Sequence, residues 1–126
     1  MLTEERRNEL RENLTVIGEQ IRQLTNEKNA CIQELVKDAV DQVRERYNNV
    51  AIGDKVKVRY TDGWNDKEVE EVFYLKNFCL YTYYNPDDMP SYVRVEFFKT
   101  KKDGSQSLRT TSICAHYVIS IDKVTE

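Results

Sequence analysis

Apolar residues recur at Leu10, Leu14, Ile17, Ile21 and Leu24. That alternating four-three spacing predicts a helix carrying a narrow heptad seam. Farther on, Ile32, Leu35, Val36, Ala39, Val40, Val43 and Tyr47 form a wider stripe, of the kind that packs on a body of protein. From Thr3 to Asn48 there is no proline and one glycine, Gly18. Thr3 offers a capping hydroxyl, Glu4 and Glu5 suit the positive first turn, and Arg44 and Arg46 suit the negative last one. Asn48 and Asn49 are the natural terminators. The seam meets Lys28 within Thr25–Asn29, so two readings stand: a continuous helix of about 45 residues, roughly 65–70 Å long, or an αα-hairpin turning at Asn26–Asn29. A turn would recruit glycine or proline, and neither is there, which favours the continuous helix.

At Val50 the period changes from 3.6 to 2. After a turn at Ile52-Gly53-Asp54, Val56, Val58 and Tyr60 alternate with Lys55, Lys57 and Arg59, the pattern of a half-buried strand. Thr61-Asp62-Gly63 closes it with turn chemistry. Glu68–Leu75 and Phe78–Tyr84 read as two strands, or as one long strand kinked near Lys76-Asn77. Asn85–Pro90 reads as a loop. Tyr92–Thr100 is a strand with Val93, Val95 and Phe97 on one face, and Lys102-Asp103-Gly104-Ser105 is a hairpin turn into Ser107–Cys114. In the last strand, Tyr117–Val124, alternation sets Val118 opposite in face to Ile119 and Ile121. Short strands at this spacing predict a small antiparallel barrel. The chain is therefore α+β: a helical, coiled-coil-like segment over 1–49 and a small β-barrel domain over 50–126.

Two stretches carry a resemblance. Gly53-Asp54-Lys55-Val56-Lys57-Val58 resembles the first strand of SH3-like barrels, including KOW and Tudor-type domains. Ser112-Ile113-Cys114-Ala115-His116-Tyr117 followed by Val118-Ile119-Ser120-Ile121 resembles their penultimate strand, short 3₁₀ turn and final strand. The resemblance covers residues 52–124 and implies a fold; such barrels serve many unrelated partners, so it implies no function.

Composition narrows the function classes. The chain has 126 residues, 33% charged, with a net charge of −3 and a pI of about 5.3. Charges of both signs are dispersed, which argues against duplex nucleic acid as the partner; Lys99, Lys101 and Lys102 form one local basic patch. No apolar stretch approaches the ~20 residues that cross a bilayer. Met1–Glu5 lacks the apolar region of a signal peptide, which predicts a cytoplasmic protein. The abundance of Asn, Lys and Tyr points to an AT-rich genome, such as that of a bacteriophage or a low-GC bacterium.

Cys31, Cys79 and Cys114 are three and far apart, a poor disulfide framework, and read as buried free thiols. Cys114-Ala115-His116 lacks the further ligands a zinc site needs, so no metal or cofactor is expected. His116 is the sole histidine and reads as a surface or capping residue. Glu70-Glu71 and Asp87-Asp88 are adjacent pairs; Glu70 and Glu71 point to opposite faces of a strand, and Asp87-Asp88 lies in a proline loop. No nucleophile with a base and an orienting group emerges. The expectation is a protein that is not an enzyme.

Aromatic residues crowd the second half: Phe73, Tyr74, Phe78, Tyr81, Tyr83, Tyr84, Tyr92, Phe97 and Phe98, with Trp64 in a neighbouring loop. Both faces of the 78–84 segment carry aromatic bulk. Either the helix from residue 32 onward covers one face, or tyrosines are exposed to a partner. The second reading makes Trp64, Tyr81, Tyr83 and Tyr92 a protein-binding surface. The seam at Leu10, Leu14, Ile17, Ile21 and Leu24 is too short for a stable isolated coiled coil. It needs help from an oligomeric barrel interface or a longer partner, or else packs within a hairpin. A homo-oligomer is favoured, because a continuous helix would otherwise expose Leu10 through Leu24. The leading expectation is thus a structural or interaction module that oligomerises through its helix and presents an aromatic surface to a protein. The alternative is a nucleic-acid-associated accessory protein with a KOW-like barrel.

Overall fold

The computed structural model of the chain describes residues 1–80 and 86–125. Helix α1 spans Glu4–Arg46 without interruption, so the hairpin alternative falls. Five strands follow: β1 Lys55–Thr61, β2 Glu68–Leu80, β3 Val93–Thr100, β4 Gln106–Cys114 and β5 Val118–Lys123. A 3₁₀ helix, Pro86–Tyr92, precedes β3, and a shorter one, Ala115–Tyr117, precedes β5. The chain divides into two compact units, Met1–Glu34 and Leu35–Glu126. The last turns of α1 fall in the same compact unit as the strands.

In the first unit α1 begins as its sequence dictates. The Thr3 hydroxyl accepts from the Arg6 amide at 3.2 Å, satisfying one of the first-turn donors. Leu14, Ile17, Ile21 and Leu24 of the seam are all exposed, and Leu10 is half-buried.

The second unit is a five-stranded antiparallel sheet in the order β4-β3-β2-β1-β5. Consecutive strands pair as a meander, and β5 returns to the free edge of β1. Among the described residues no ladder joins β4 to β5, so the sheet is not closed into a barrel. Alternation builds one buried face. Val56 and Val58 from β1, Phe73, Leu75 and Phe78 from β2, and Val93, Val95 and Phe97 from β3 are all buried. The Phe73 and Phe97 rings stack with centroids 5.1 Å apart. On the opposite face Lys57 pairs with Glu70 at 3.2 Å, and Arg59 pairs with Glu68.

The long β2 is one bent strand. Its register against β3 shifts between Leu75 and Asn77, leaving Lys76 unpaired, so that both Leu75 and Phe78 reach the core. A second irregularity corrects the expected facing of β5. The register shifts where Tyr60 pairs with Val118 and Arg59 with Ser120, skipping Ile119. Val118 and Ile121 are therefore both buried, while Ile119 is exposed.

The end of α1 closes one side of this core. Ala39, Val43 and Tyr47 are buried, and the Tyr47 and Phe78 rings lie parallel at 6.5 Å between centroids. Asn49 donates from Nδ2 to the Ile121 carbonyl at 3.0 Å, fastening the segment after the helix to β5. The stretch Pro86–Pro90, read as a loop, belongs to a 3₁₀ helix. Proline at its start has the fixed φ that a helical turn accepts, and Met89 fills the core at 1% exposure.

All three cysteines are free, but Cys31 is exposed and Cys79 and Cys114 are only partly buried. The expectation of buried thiols is corrected: the positions of Cys79 and Cys114 fall at sheet margins, and Cys31 sits on the helix of the first unit. No helix among the described residues is long and apolar enough to cross a membrane. Among the described residues, no cluster of histidine, cysteine and carboxylate side chains could hold a metal ion.

Candidate binding groove beside Trp64

The β1–β2 connection is built by Asp62. Its amide donates to the Lys67 carbonyl at 2.8 Å, and its carbonyl accepts from the Asp66 amide at 2.9 Å. Its Oδ1 accepts from the Trp64 amide at 3.1 Å, the side-chain turn that short polar residues form with their own backbone. Asp66 takes the left-handed conformation, φ 52°, that returns the chain to β2. This framework holds the loop tip and leaves the Trp64 side chain 94% exposed.

Beside this loop stands Tyr117, at the end of the 3₁₀ turn between β4 and β5. A Cβ added at Gly63 would lie 3.6 Å from Tyr117 Cζ, so the loop runs close along that ring. Thr61 donates its hydroxyl to the Tyr117 carbonyl at 3.4 Å. The exposed His116 packs its ring edge-on to that of Tyr117, with centroids 5.6 Å apart.

Tyr60, Trp64, Val69, Glu71, Ile113 and Tyr117, with Asp62 and Arg94, surround a groove of about 590 Å³. The Tyr60 hydroxyl donates to Glu71 Oε1 at 2.7 Å. Burial pushes the Tyr60 phenol up to about 12, helped by that hydrogen bond and by the charges of Glu71 and Asp62. Arg94 donates through Nε to Ser112 Oγ at 2.9 Å and through Nη2 to the Ser112 carbonyl at 3.0 Å. The Cys114 thiol donates to the Ser91 carbonyl at 2.9 Å. The groove thus offers aromatic surface, two carboxylates and one guanidinium already committed to β4. This is binding chemistry: flat apolar rings beside fixed charges.

Of the residues expected to meet a partner, Trp64 lines this groove. Tyr92 is half-buried in the 3₁₀ helix Pro86–Tyr92 and is not among the lining residues. Tyr81 and Tyr83 lie outside the described residues. The sequence alone does not single out Tyr60, Glu71 or Tyr117 as partner residues. The alternation signal was present for Tyr60, but a strand-end tyrosine reads as core, and its closeness to Tyr117 follows only from pairing β1 with β5. Compared with family models, with curated proteins and with solved structures, the chain shows no match.

Proposed function

We propose that this chain is a non-enzymatic interaction protein, assembling with copies of itself through the seam of α1 and offering the Trp64 groove to an extended segment of another protein. One observation carries it: large apolar side chains stand exposed in two organised places. Leu14, Ile17, Ile21 and Leu24 are 49–69% exposed along one stripe, and Trp64 is 94% exposed at the groove. Scattered apolar residues need no explanation, but aligned ones do.

We read the open sheet as an SH3-like strand arrangement left unclosed, among the described residues, between β4 and β5. The reading is supported by the order β4-β3-β2-β1-β5, by the bend that lets β2 serve both halves of the sheet, and by the 3₁₀ turn before β5. The occupant follows from charge. Asp62 and Glu71 stand beside Trp64 and Tyr117, so a segment bearing a lysine or arginine gains both cation–π and carboxylate contacts.

Selection from a random peptide library tests this. The selected peptides are expected to carry a basic residue, and to shift the amide resonances around Tyr60, Trp64 and Tyr117. Trp64→Ala should weaken them at least about tenfold, the size of a modest hot spot. Binders indifferent to Trp64→Ala would overturn the groove assignment.

A further inference from the structure

The seam also encodes the direction in which two copies meet. The inference rests on the assembly reading above. Taken as a heptad, the seam places Arg7, Leu14, Ile21 and Lys28 at a, and Leu10, Ile17, Leu24 and Cys31 at d. Arg6 and Glu27 fall at g, and Arg11 at e.

A parallel, in-register pair would set Arg7 against Arg7 and Lys28 against Lys28 at both ends of the seam. It would also set Arg6 at g across from Arg11 at e of the other copy. Apart from Lys28 reaching Glu27 of the other copy, the charged contacts in that arrangement are between like charges, which costs stability and specifies against it. Antiparallel pairing removes all of them. Aligning Leu14 with Ile17 of the second copy also aligns Leu10 with Ile21, giving an apolar seam about a two-fold axis between Thr15 and Val16. Arg7 then lies on Leu24, where its aliphatic stem can pack. Lys28 faces Thr3. Arg6 comes opposite Glu27, and symmetry gives that pair twice. The alternative antiparallel alignment, Leu14 on Leu24, is equally apolar and brings Arg6 opposite Glu34. It sets Lys28 against Leu10 instead of the polar Thr3, however, and would bring labels on Cys31 to about 36 Å rather than the roughly 45–50 Å of the first alignment.

In the single chain Arg6 pairs with Glu9 at 3.0 Å, with both side chains about half-exposed. An exposed i,i+3 pair of this kind contributes little and is readily exchanged. We infer that two copies of this chain pair antiparallel along residues 3–28, with Leu14 facing Ile17 and Arg6 facing Glu27 of the second copy.

Cys31 supplies the probe, since it is exposed and lies at a d position beyond the paired segment. In the full chain carrying Cys79→Ser and Cys114→Ser, a nitroxide on Cys31 reports one inter-copy distance by pulsed dipolar spectroscopy. Antiparallel pairing predicts roughly 45–50 Å, from 1.5 Å of rise per residue. A parallel pair brings the labels to about one interhelical spacing, roughly 8–10 Å plus the label arms, and would overturn the direction while leaving assembly intact. A monomer with no dipolar signal would instead overturn the assembly reading itself. Charge reversal gives an independent arm with the native cysteines in place. Arg6→Glu and Glu27→Arg should each raise the dimer dissociation constant several-fold, and the double variant should restore it. In a parallel pair Arg6→Glu relieves the clash with Arg11 and tightens association, the opposite sign.

Discussion

Tyr60 donates its phenolic hydrogen to Glu71 Oε1 at 2.7 Å across the β1–β2 ladder, tying together two side chains that share one face at the end of the core. The bond favours the protonated phenol, as does burial. The folded pKa is raised from 10.0 to about 12, so this group's contribution to stability is complete below 10.0 and is lost as the pH climbs toward 12. A difference titration of phenolate absorbance between the parent protein and Tyr60→Phe should isolate one tyrosine ionising in that upper range. Ionisation of that tyrosine at its ordinary value would refute the contact. Because Tyr60→Phe leaves Glu71 at the surface, free to be hydrated, it should cost only about 0.5–1.5 kcal/mol in denaturant unfolding.

The three thiols should react at different rates. Cys79 donates to Glu96 Oε1 at 2.8 Å, and burial together with that carboxylate pushes its thiol up to about 11. Cys31 is exposed. Since the thiolate is the reactive species, timed alkylation followed by mass spectrometry should show Cys31 modified first and Cys79 last at neutral pH. Glu96→Gln should quicken Cys79, because a carboxamide no longer opposes the thiolate. Equal rates at Cys31 and Cys79 would contradict the assignment.

Truncation should separate core from surface by size of effect. Phe97 is fully buried and stacked on Phe73, so Phe97→Ala should lower stability by about 3–5 kcal/mol. Leu108 is 92% exposed on β4, and Leu108→Ala should stay within about 0.5 kcal/mol. Chemical denaturation measures both. A large loss at Leu108 would show that the outer face of β4 is covered.

What the chain made legible was what depends on local period and turn chemistry. The seam and the stripe ending at Val43 and Tyr47 announced the helix, and Lys102–Ser105 announced its hairpin. There Asp103 Oδ1 accepts from the Ser105 amide at 2.9 Å, and Gly104 takes the φ of 86° that favours glycine. The facing of Val118 was not legible, because a bulge is a property of a pair of strands and Ile119 bulges only against β1. The groove was hidden for the same reason. Tyr60 and Tyr117 are far apart in sequence, and meet only because β5 returns to the edge of β1. Trp64 was visible alone, as a large aromatic in a polar turn. Whether the sheet closes into a barrel likewise depends on edge pairing that alternation does not encode.

The claim that the helix assembles copies is tested most directly by the mass of the full chain in solution, beside a Leu14→Asp, Ile21→Asp variant. Both residues are exposed in the single chain, so the substitutions remove nothing from its own core. Across a second copy, each buried Leu or Ile contributes roughly 1.5–3 kcal/mol by withdrawing apolar surface from water. Sedimentation equilibrium at micromolar concentration should find the parent protein dimeric and the variant monomeric, with the β-sheet circular dichroism unchanged. A monomeric parent protein, whose variant melts at a lower temperature, would contradict the account and place the seam within its own chain.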